Sequence, residues 1–406
     1  MMPEPVDERH ALMETYAPAA VTFVSGSGTV LTDLEGRTYL DFLSGIAVTS
    51  LGHCHPRVTA ALEAQSKRLL HVSNLFANEL AEPLARLIDK LVGDGEPARG
   101  RVFLCNSGAE ANECAIKLAR RYFSRTVPPS QVARHVIVSA YGSFHGRTLA
   151  TLHATGQADK HVGFAPLPAG FDHVAYGDIA ALETALRGAE DGAEVAAVLI
   201  EAVQGEGGVV PAPKGYLRAV RELCDARGVL LILDEIQTGL ARTGRWFGFQ
   251  RAEIAPDIVT MAKALGNGFP IGACWARDEV SAAFRPGDHG TTFGGQPLAC
   301  AAALATLAEM EEIRAPELAA RAGEHLAGAV ARIGGVSEVR GEGLLLGAVL
   351  EPGIDAKAVV AAALEHGLVL NAPVAGVIRL APPLTVSSLE IEAAVGILAD
   401  VMEAFS

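Results

Sequence analysis

Between Gly228 and Lys263 the chain is apolar, then acidic, then polar, then apolar again. Gly228-Val-Leu-Leu-Ile-Leu-Asp234-Glu235 is an unbroken hydrophobic run that stops at two carboxylates. Such a run after a helix-stopping glycine predicts a strand buried on both faces, the pattern of a parallel sheet covered by helices. Shorter runs of the same kind fall at Arg101–Cys105, His135–Ser139, Val195–Glu201, Asp257–Met261 and Ile271–Trp275. Segments of helical period separate several of them, one from Asn106 to about Phe123 and another from Gly215 to Gly228. This alternation predicts a mostly parallel sheet with helices on both faces, an α/β fold.

The two ends of the chain read differently. A short helix is expected first, and Thr29–Phe42 then alternates and turns at Glu35-Gly36, a hairpin signal. Helices follow from about Pro56 to His71 and after Asn78, where Leu80, Leu84, Leu87, Ile88 and Leu91 share a face. Beyond Pro297 come Ala-rich helices over roughly 297–333, strands within Val336–Leu350 and at Val377–Leu380, and a closing helix after Ser387. Ser387 and Glu390 have the spacing of a capping box. The expected division is an N-terminal segment over 1–50 packing with the small domain, a large domain over 51–305, and a smaller α+β domain over 306–406.

Composition narrows the function. The 406 residues carry a net charge of −14, against a nucleic-acid binder, which would show a basic patch. No apolar run approaches transmembrane length, and the N-terminus lacks the basic and apolar regions of a signal peptide. The expectation is a cytoplasmic protein without a membrane partner. Six cysteines lie scattered with no CxxC pair, as reduced core thiols would. His53-Cys54-His55-Pro56 reads as a turn before a helix, because nothing nearby completes a ligand set, and no metal is expected. No GxGxxG follows a strand and no GxxxxGK[ST] occurs, which disfavours dinucleotide and P-loop enzymes.

Three places carry candidate chemistry. Asp234 ends its strand at the carboxyl edge of the sheet, where ligands bind in open α/β folds. Lys263 sits among small and apolar residues in Met261-Ala-Lys-Ala-Leu-Gly266, a setting that lowers an amine's pKa and makes it nucleophilic. Together they point to pyridoxal phosphate, with the lysine bonding the aldehyde and the aspartate keeping the ring nitrogen protonated. The plainer alternative stays open from this stretch alone: Asp234 caps a helix and Lys263 snorkels. Asn106-Ser107-Gly108-Ala109, feeding a helix, is equally a phosphate site or an ordinary N-cap.

The motifs then accumulate in one order. They are Asn106-Ser-Gly-Ala-Glu-Ala-Asn112, Ser143-Phe-His-Gly-Arg-Thr148, Glu201-Ala-Val-Gln-Gly-Glu-Gly207 and Leu233-Asp-Glu-Ile-Gln-Thr-Gly239 with Arg242-Thr-Gly244. Lys263, His289-Gly-Thr-Thr-Phe-Gly-Gly295 and Ile378-Arg379-Leu-Ala-Pro-Pro383 complete the series. Across nearly its whole length the chain resembles the class III, pyridoxal-phosphate-dependent aminotransferases of fold type I, and within them the branch acting on N2-acetylornithine. Ala202 departs from the pattern, since relatives usually carry Pro there.

The resemblance implies a site, residue by residue. Ser107, Gly108 and Ala109 would hold the cofactor phosphate, Phe144 would stack on the ring, Asp234 would pair with its nitrogen, and Gln237 would touch its hydroxyl. Glu201 belongs to the same cofactor-binding set. Lys263 would carry the cofactor and shuttle the proton. Thr292 would reach the phosphate of a neighbouring subunit, making a homodimer with shared active sites. Arg147 would clamp a substrate carboxylate, with Thr291 and Ile46 nearby. Glu206 would pair with Arg379 while the amine donor is bound and release it for 2-oxoglutarate. The implied reaction moves the terminal amino group of acetylornithine to 2-oxoglutarate, a step of arginine biosynthesis. Ornithine, succinylornithine or another ω-amine as donor, or a mutase or decarboxylase of the same fold, are the alternatives.

Overall fold

The computed structural model describes residues 12–17, 20–126, 134–187 and 194–405. It opens on three antiparallel strands, β1 (Phe23–Ser27), β2 (Val30–Asp33) and β3 (Thr38–Asp41). The β2–β3 turn is held by Asp33, whose Oδ1 accepts from the N–H groups of Glu35 and Arg37. Gly36 supplies the left-handed φ of 81° at its tip. The helix expected ahead of this hairpin falls mostly outside the described residues, and residues 12–17 form no helix.

An irregular turn, α1 (Ser44–Ala47), leads to α2 (Pro56–Ser66) and α3 (Ala81–Val92). α3 buries Leu84, Ile88 and Leu91, as their spacing predicts, and Asn78 Oδ1 accepts from the N–H groups of Leu80 and Ala81 at its start. α2 stops at Ser66, short of the predicted His71. The chain leaves the helix there so that Asn74 and Asn78 can reach the carbonyls of Thr291, Gly294 and Gly295.

The central strands are β4 (Gly100–Cys105), β5 (Arg134–Ala140), β6 (Phe171–Val174) and β7 (Glu194–Glu201). A short ribbon of β8 (Val203–Gln204) and β9 (Val210–Pro211) precedes β10 (Leu230–Asp234), β11 (Ile258–Met261) and β12 (Gly272–Arg277). They form a seven-stranded sheet in the order β4-β12-β11-β10-β7-β5-β6. The strands from β11 to β6 run parallel, whereas β12 is antiparallel to both of its neighbours. No crossover helix separates β11 from β12, and a direct return reverses direction.

Helices α4 (Gly108–Thr126), α5 (Leu149–Ala154), α6 (Ile179–Ala185), α7 (Tyr216–Arg227) and α8 (Asp278–Ser281) cover the sheet. Because side chains alternate along a strand, β10 divides its apolar run between two layers. Leu230 and Ile232 pack with Ile116 and Ala119 of α4, and Leu231 and Leu233 with Leu217 and Val220 of α7.

The remaining elements are α9 (Pro297–Glu312), α10 (Ala315–Val330), β13 (Val336–Glu342), β14 (Leu345–Leu350) and α11 (Ala356–Glu365). They end with β15 (Leu368–Val369), β16 (Asn371–Val374), β17 (Val377–Leu380) and α12 (Ser388–Glu403), which starts with the Ser387–Glu390 capping box. β13, β14, β17 and β16 make a second, antiparallel sheet in that order. β15 instead pairs in parallel with β3, so the first strands share a sheet with one of the last. Among the described residues no helix is long and apolar enough to cross a membrane.

Candidate active site

The parallel strands bring three polar residues into line at their carboxyl ends. In the ladder Asp234 is registered with Glu201 of β7 on one side and Thr260 of β11 on the other. Above this edge lies a cavity of about 380 Å³ lined by Asn106, Ser107, Gly108, Ala109, Phe144, Glu201, Glu206, Asp234, Gln237 and Lys263, among others. Sites in open α/β folds form at this place, because the loops leave the sheet there in opposite directions.

Asp234 is almost fully buried, yet both its oxygens are satisfied. Oδ2 accepts from Asn112 Nδ2 at 2.7 Å and faces His145 Nδ1 at 2.8 Å, while Oδ1 accepts from the Ile236 N–H at 3.0 Å. Thr260 Oγ1 donates to Asn112 Oδ1 at 2.8 Å, which fixes the orientation of that amide. His145 is buried with Nε2 unpartnered. Facing a carboxylate oxygen, Nδ1 serves as the donor of this pair.

Glu235, the second carboxylate of the apolar run, turns away from the cavity. It accepts from Thr238 Oγ1 and from the N–H groups of Gly248 and Phe249. Burial raises its carboxyl to about 7.

Lys263 follows β11 and opens a 3₁₀ turn, Lys263–Gly266, with a left-handed φ of 43°. A side chain with a Cβ holds that conformation at a cost, which persists only where surrounding structure imposes it. Its half-buried side chain lines the cavity. Burial pulls its pKa from 10.5 down to about 8; the Glu206 charge opposes this and Arg379 adds to it. Burial, and then the neighbouring charge of Asp234, pushes the Glu201 carboxyl well above its ordinary range.

At the start of α4, Ser107 Oγ accepts from the Glu110 N–H at 3.2 Å, so Ser107 caps the helix. The first N–H groups of a helix have no intrahelical acceptor, and those of Gly108 and Ala109 border the cavity. Gly108 is required by packing, because a Cβ there would meet Ile236 Cδ1 at 2.8 Å.

Opposite the lysine, β17 presents Arg379, which is completely buried. Its Nη1 donates to Glu206 Oε1 at 2.6 Å and to Gln237 Oε1 at 3.1 Å, and its Nε donates to Asn371 Oδ1 at 3.1 Å. Nη2 is buried and unpartnered, a donor left over for an incoming anion. Burial pulls the Glu206 carboxyl upward, but the charge and hydrogen bond of Arg379 outweigh it and hold the group below its ordinary value. Arg147 lies over the Phe144 ring, 5.4 Å from its centroid, and is exposed at the cavity mouth.

Four residues singled out in the sequence sit outside the cavity lining, the first being Arg379, which lies behind Glu206 and Gln237. Thr291 lies one contact away, its Oγ1 accepting from Asn106 Nδ2 at 3.0 Å. Thr292 is exposed. Ile46 has a left-handed φ of 68° and is 36% exposed; Val48 is the residue of its segment that lines the cavity. Sequence reasoning gave no role to Asn112, His145 or Thr260. The signal was there in Asn112, an amide on the otherwise apolar face of α4 that also buries Cys114 and Ala115.

A cavity-lining amine of lowered pKa, a buried carboxylate gripped by Asn112 and His145, and helix-start N–H groups suited to a phosphate fit pyridoxal phosphate. The chain matches the family model for class III aminotransferases over residues 12–402. It belongs to that family and is a pyridoxal-phosphate-dependent transaminase.

Among its relatives, the acetylornithine aminotransferase of Corynebacterium efficiens is 47% identical over 394 residues, covering 96% of this chain and 94% of that one. The acetylornithine aminotransferase of Caldanaerobacter subterraneus subsp. tengcongensis is 46% identical, covering 97% and 98%. Among solved structures, N-acetylornithine aminotransferase from Stenotrophomonas maltophilia superposes with a TM-score of 0.81 at 38% identity, covering 96% of this chain and 97% of that one. Ornithine aminotransferase from Toxoplasma gondii superposes with a TM-score of 0.90 at 35% identity, covering 97% and 93%.

Proposed function

We propose that the chain transfers the terminal amino group of N2-acetylornithine to 2-oxoglutarate, giving N-acetylglutamate 5-semialdehyde and glutamate. The observation that carries the reading is the Glu206–Arg379 pair, whose carboxylate lines the same cavity as Lys263 while its arginine lies buried behind. The acetylornithine aminotransferases at 43–47% identity over nearly the full chain support the choice of donor. Ornithine is the second reading, favoured by the TM-score of 0.90 to the Toxoplasma enzyme.

The residues divide the work as follows. Ser107, Gly108 and Ala109 hold the cofactor phosphate, Phe144 covers the ring, and Gln237 and Glu201 lie along it. Asp234, ionised and pinned by Asn112 and His145, favours a proton on the ring nitrogen. The cofactor supplies an aldehyde that accepts the amino group and a ring that spreads the charge of a deprotonated carbon. Lys263 Nζ, its pKa lowered to about 8, would take a proton from the substrate carbon and return it.

The two substrates place opposite demands on Arg379. The reacting carbon of the amine donor bears no carboxylate, so a free arginine beside it would select the wrong end of the molecule. Glu206 neutralises Arg379 in that half-reaction, and its position between Gly205 and Gly207 lets it leave when the α-carboxylate of 2-oxoglutarate arrives. Arg147 receives the distal carboxylate of both substrates, for which a planar fork is suited. Val48 lines the cavity and Ile46 lies two residues before it; both are apolar, which suits a blocked α-nitrogen better than a bare ammonium.

The enzyme works as a homodimer with shared sites. Leu75, Phe76 and Phe293 are exposed near the Thr291–Thr292 loop, and a second copy that buries them would receive Thr292 at its own phosphate site. The N-terminal strands count with the C-terminal domain, with which they share the β3–β15 pairing. The expected setting is the cytoplasm.

Steady-state assays test the donor. kcat/KM for acetylornithine should exceed that for ornithine, and the reverse order refutes the assignment. Single-turnover assays of Glu206→Gln test the exchange. The acetylornithine half-reaction should slow or lose its preference over glutamate, with the 2-oxoglutarate half-reaction kept; unchanged preference in both removes the role.

A further inference from the structure

Arg242 and Arg379 are the two bulkiest completely buried side chains, and neither lines the cavity. Among the described residues no carboxylate pairs with it. Its Nη1 donates to the carbonyls of Leu344 at 3.0 Å and Pro382 at 2.6 Å, and its Nη2 donates to Ser50 Oγ at 3.0 Å. Nε has no partner. Burial pulls the guanidinium down to about 9, with Asp41 the charge that opposes it. A buried cation satisfied only by neutral acceptors is an expensive way to fill space, and an apolar side chain would fill it more cheaply.

What the fork grips is informative. β14 and β17 are neighbours, with Gly347 registered opposite Arg379 and Leu346 opposite Leu380. Leu344 immediately precedes β14, and Pro382 follows β17 by two residues, so both carbonyls lie at one end of the ladder that carries Arg379. The Arg242 carbonyl accepts from the Leu344 N–H at 3.0 Å, and a Cβ on Gly343 would meet that carbonyl oxygen at 2.6 Å. On its other branch, Ser50 leads to Leu51 and Gly52, whose N–H and carbonyl bond the side chain of Asn267 at 2.7 and 3.0 Å. Asn267 ends the 3₁₀ turn that begins at Lys263. One guanidinium therefore ties the strand of the carboxylate-binding arginine to the turn of the reactive lysine.

We propose that Arg242 is a positioning residue that fixes Arg379 relative to Lys263 and so sets the affinity for the keto-acid acceptor. The inference rests on the reading above that Arg379 receives the α-carboxylate. In an uncharged or shorter substitute the end of the β14–β17 ladder loses its tie, and Arg379 shifts while the cofactor contacts stay in place.

The test uses the holoenzyme with Arg242→Lys, Arg242→Met and Ser50→Ala, and with Arg379→Gln as reference. Cofactor loading is read from visible absorbance, kcat and KM for both substrates from initial rates, and hydrogen exchange from peptides over 344–350 and 377–384. In Arg242→Lys the KM for 2-oxoglutarate should rise roughly tenfold, with kcat and the donor KM within about twofold. Ser50→Ala, which removes one of the three bonds, should show a smaller rise of the same kind, and the 377–384 peptides should exchange faster in both. If Arg242→Met does not fold, these two variants decide. An unchanged acceptor KM in both, beside a raised one in Arg379→Gln, overturns the proposal and leaves Arg242 a purely structural residue. An Arg379→Gln enzyme with unaltered acceptor KM overturns the reading of Arg379 itself, and the proposal with it.

Discussion

The lowered pKa of Lys263 can be tested before any cofactor is present. At pH 7 an amine titrating at about 8 is free in about 9% of molecules, against about 0.03% for one at 10.5, a gain of about 300-fold. The environment that produces the shift also says how to move it. Burial is the main cause, Glu206 raises the value, and Arg379 lowers it. Glu206→Gln removes a favourable charge and leaves Arg379 unpaired, so the midpoint should fall below about 8. Arg379→Gln removes a repulsive charge and should move it upward. The assay is acylation of cofactor-free protein by a small neutral reagent across pH 6 to 10.5, with the Lys263 peptide quantified by mass spectrometry. The reactive form is the unprotonated amine, so labelling should climb with pH and level off above the midpoint. A midpoint near 10.5, or two variants that move it in the same direction, would refute the electrostatic account.

Other consequences follow from single contacts. Asn112→Ala leaves Asp234 with one donor fewer on Oδ2 and Thr260 without its acceptor; thermal unfolding should show a loss of about 1–3 kcal/mol, and equilibrium dialysis a weaker hold on the cofactor. Cofactor affinity at the original level would count against the role given to that amide. Gly294→Ala should disable the His289–Gly295 loop, since its Cβ would meet the Leu104 carbonyl oxygen at 2.2 Å. Gly396→Ala, in open space on α12, should instead stabilise the fold by about 0.5–1 kcal/mol in the same unfolding assay. Mixing inactive Lys263→Ala with an inactive Thr292→Ala variant should restore part of the activity, because one hybrid dimer site keeps both residues. Verified mixed dimers that stay inactive would end the shared-site reading.

The central sheet was legible because its strands are apolar runs closed by polar residues, and both ends of the β10 run could be marked from Gly228 and Asp234. Direction was not. Nothing in Ile271–Trp275 tells a parallel strand from an antiparallel one, since β12 is buried on both faces like its neighbours. The same ambiguity touched the two carboxylates after Leu233. Asp234 faces the cavity and Glu235 the turn at Gly248, an alternation that period alone leaves without an address. Lys263 was readable from its apolar surroundings, and Ser107 from its place before a helix, where it serves as the plain cap. The amide–hydroxyl–imidazole support behind Asp234 was not, because Asn112, His145 and Thr260 come from segments far apart in sequence. Arg242 was the hardest case: its residue type suggests a surface ion pair, and only the packed structure shows it gripping main-chain carbonyls.

The pairings β4–β12 and β3–β15 also bear on how this chain can be made. β4 leads directly into the helix start at Gly108, yet its partner in the sheet lies some 170 residues downstream, from Gly272 to Arg277. During vectorial synthesis β4 and the helix start that follows it therefore lack this sheet neighbour until β12 has been made. The β3 edge waits longer still for its outer neighbour, because Leu40 pairs with Leu368. The long interval also leaves apolar strands such as β10 exposed, and contacts so distant in sequence form slowly.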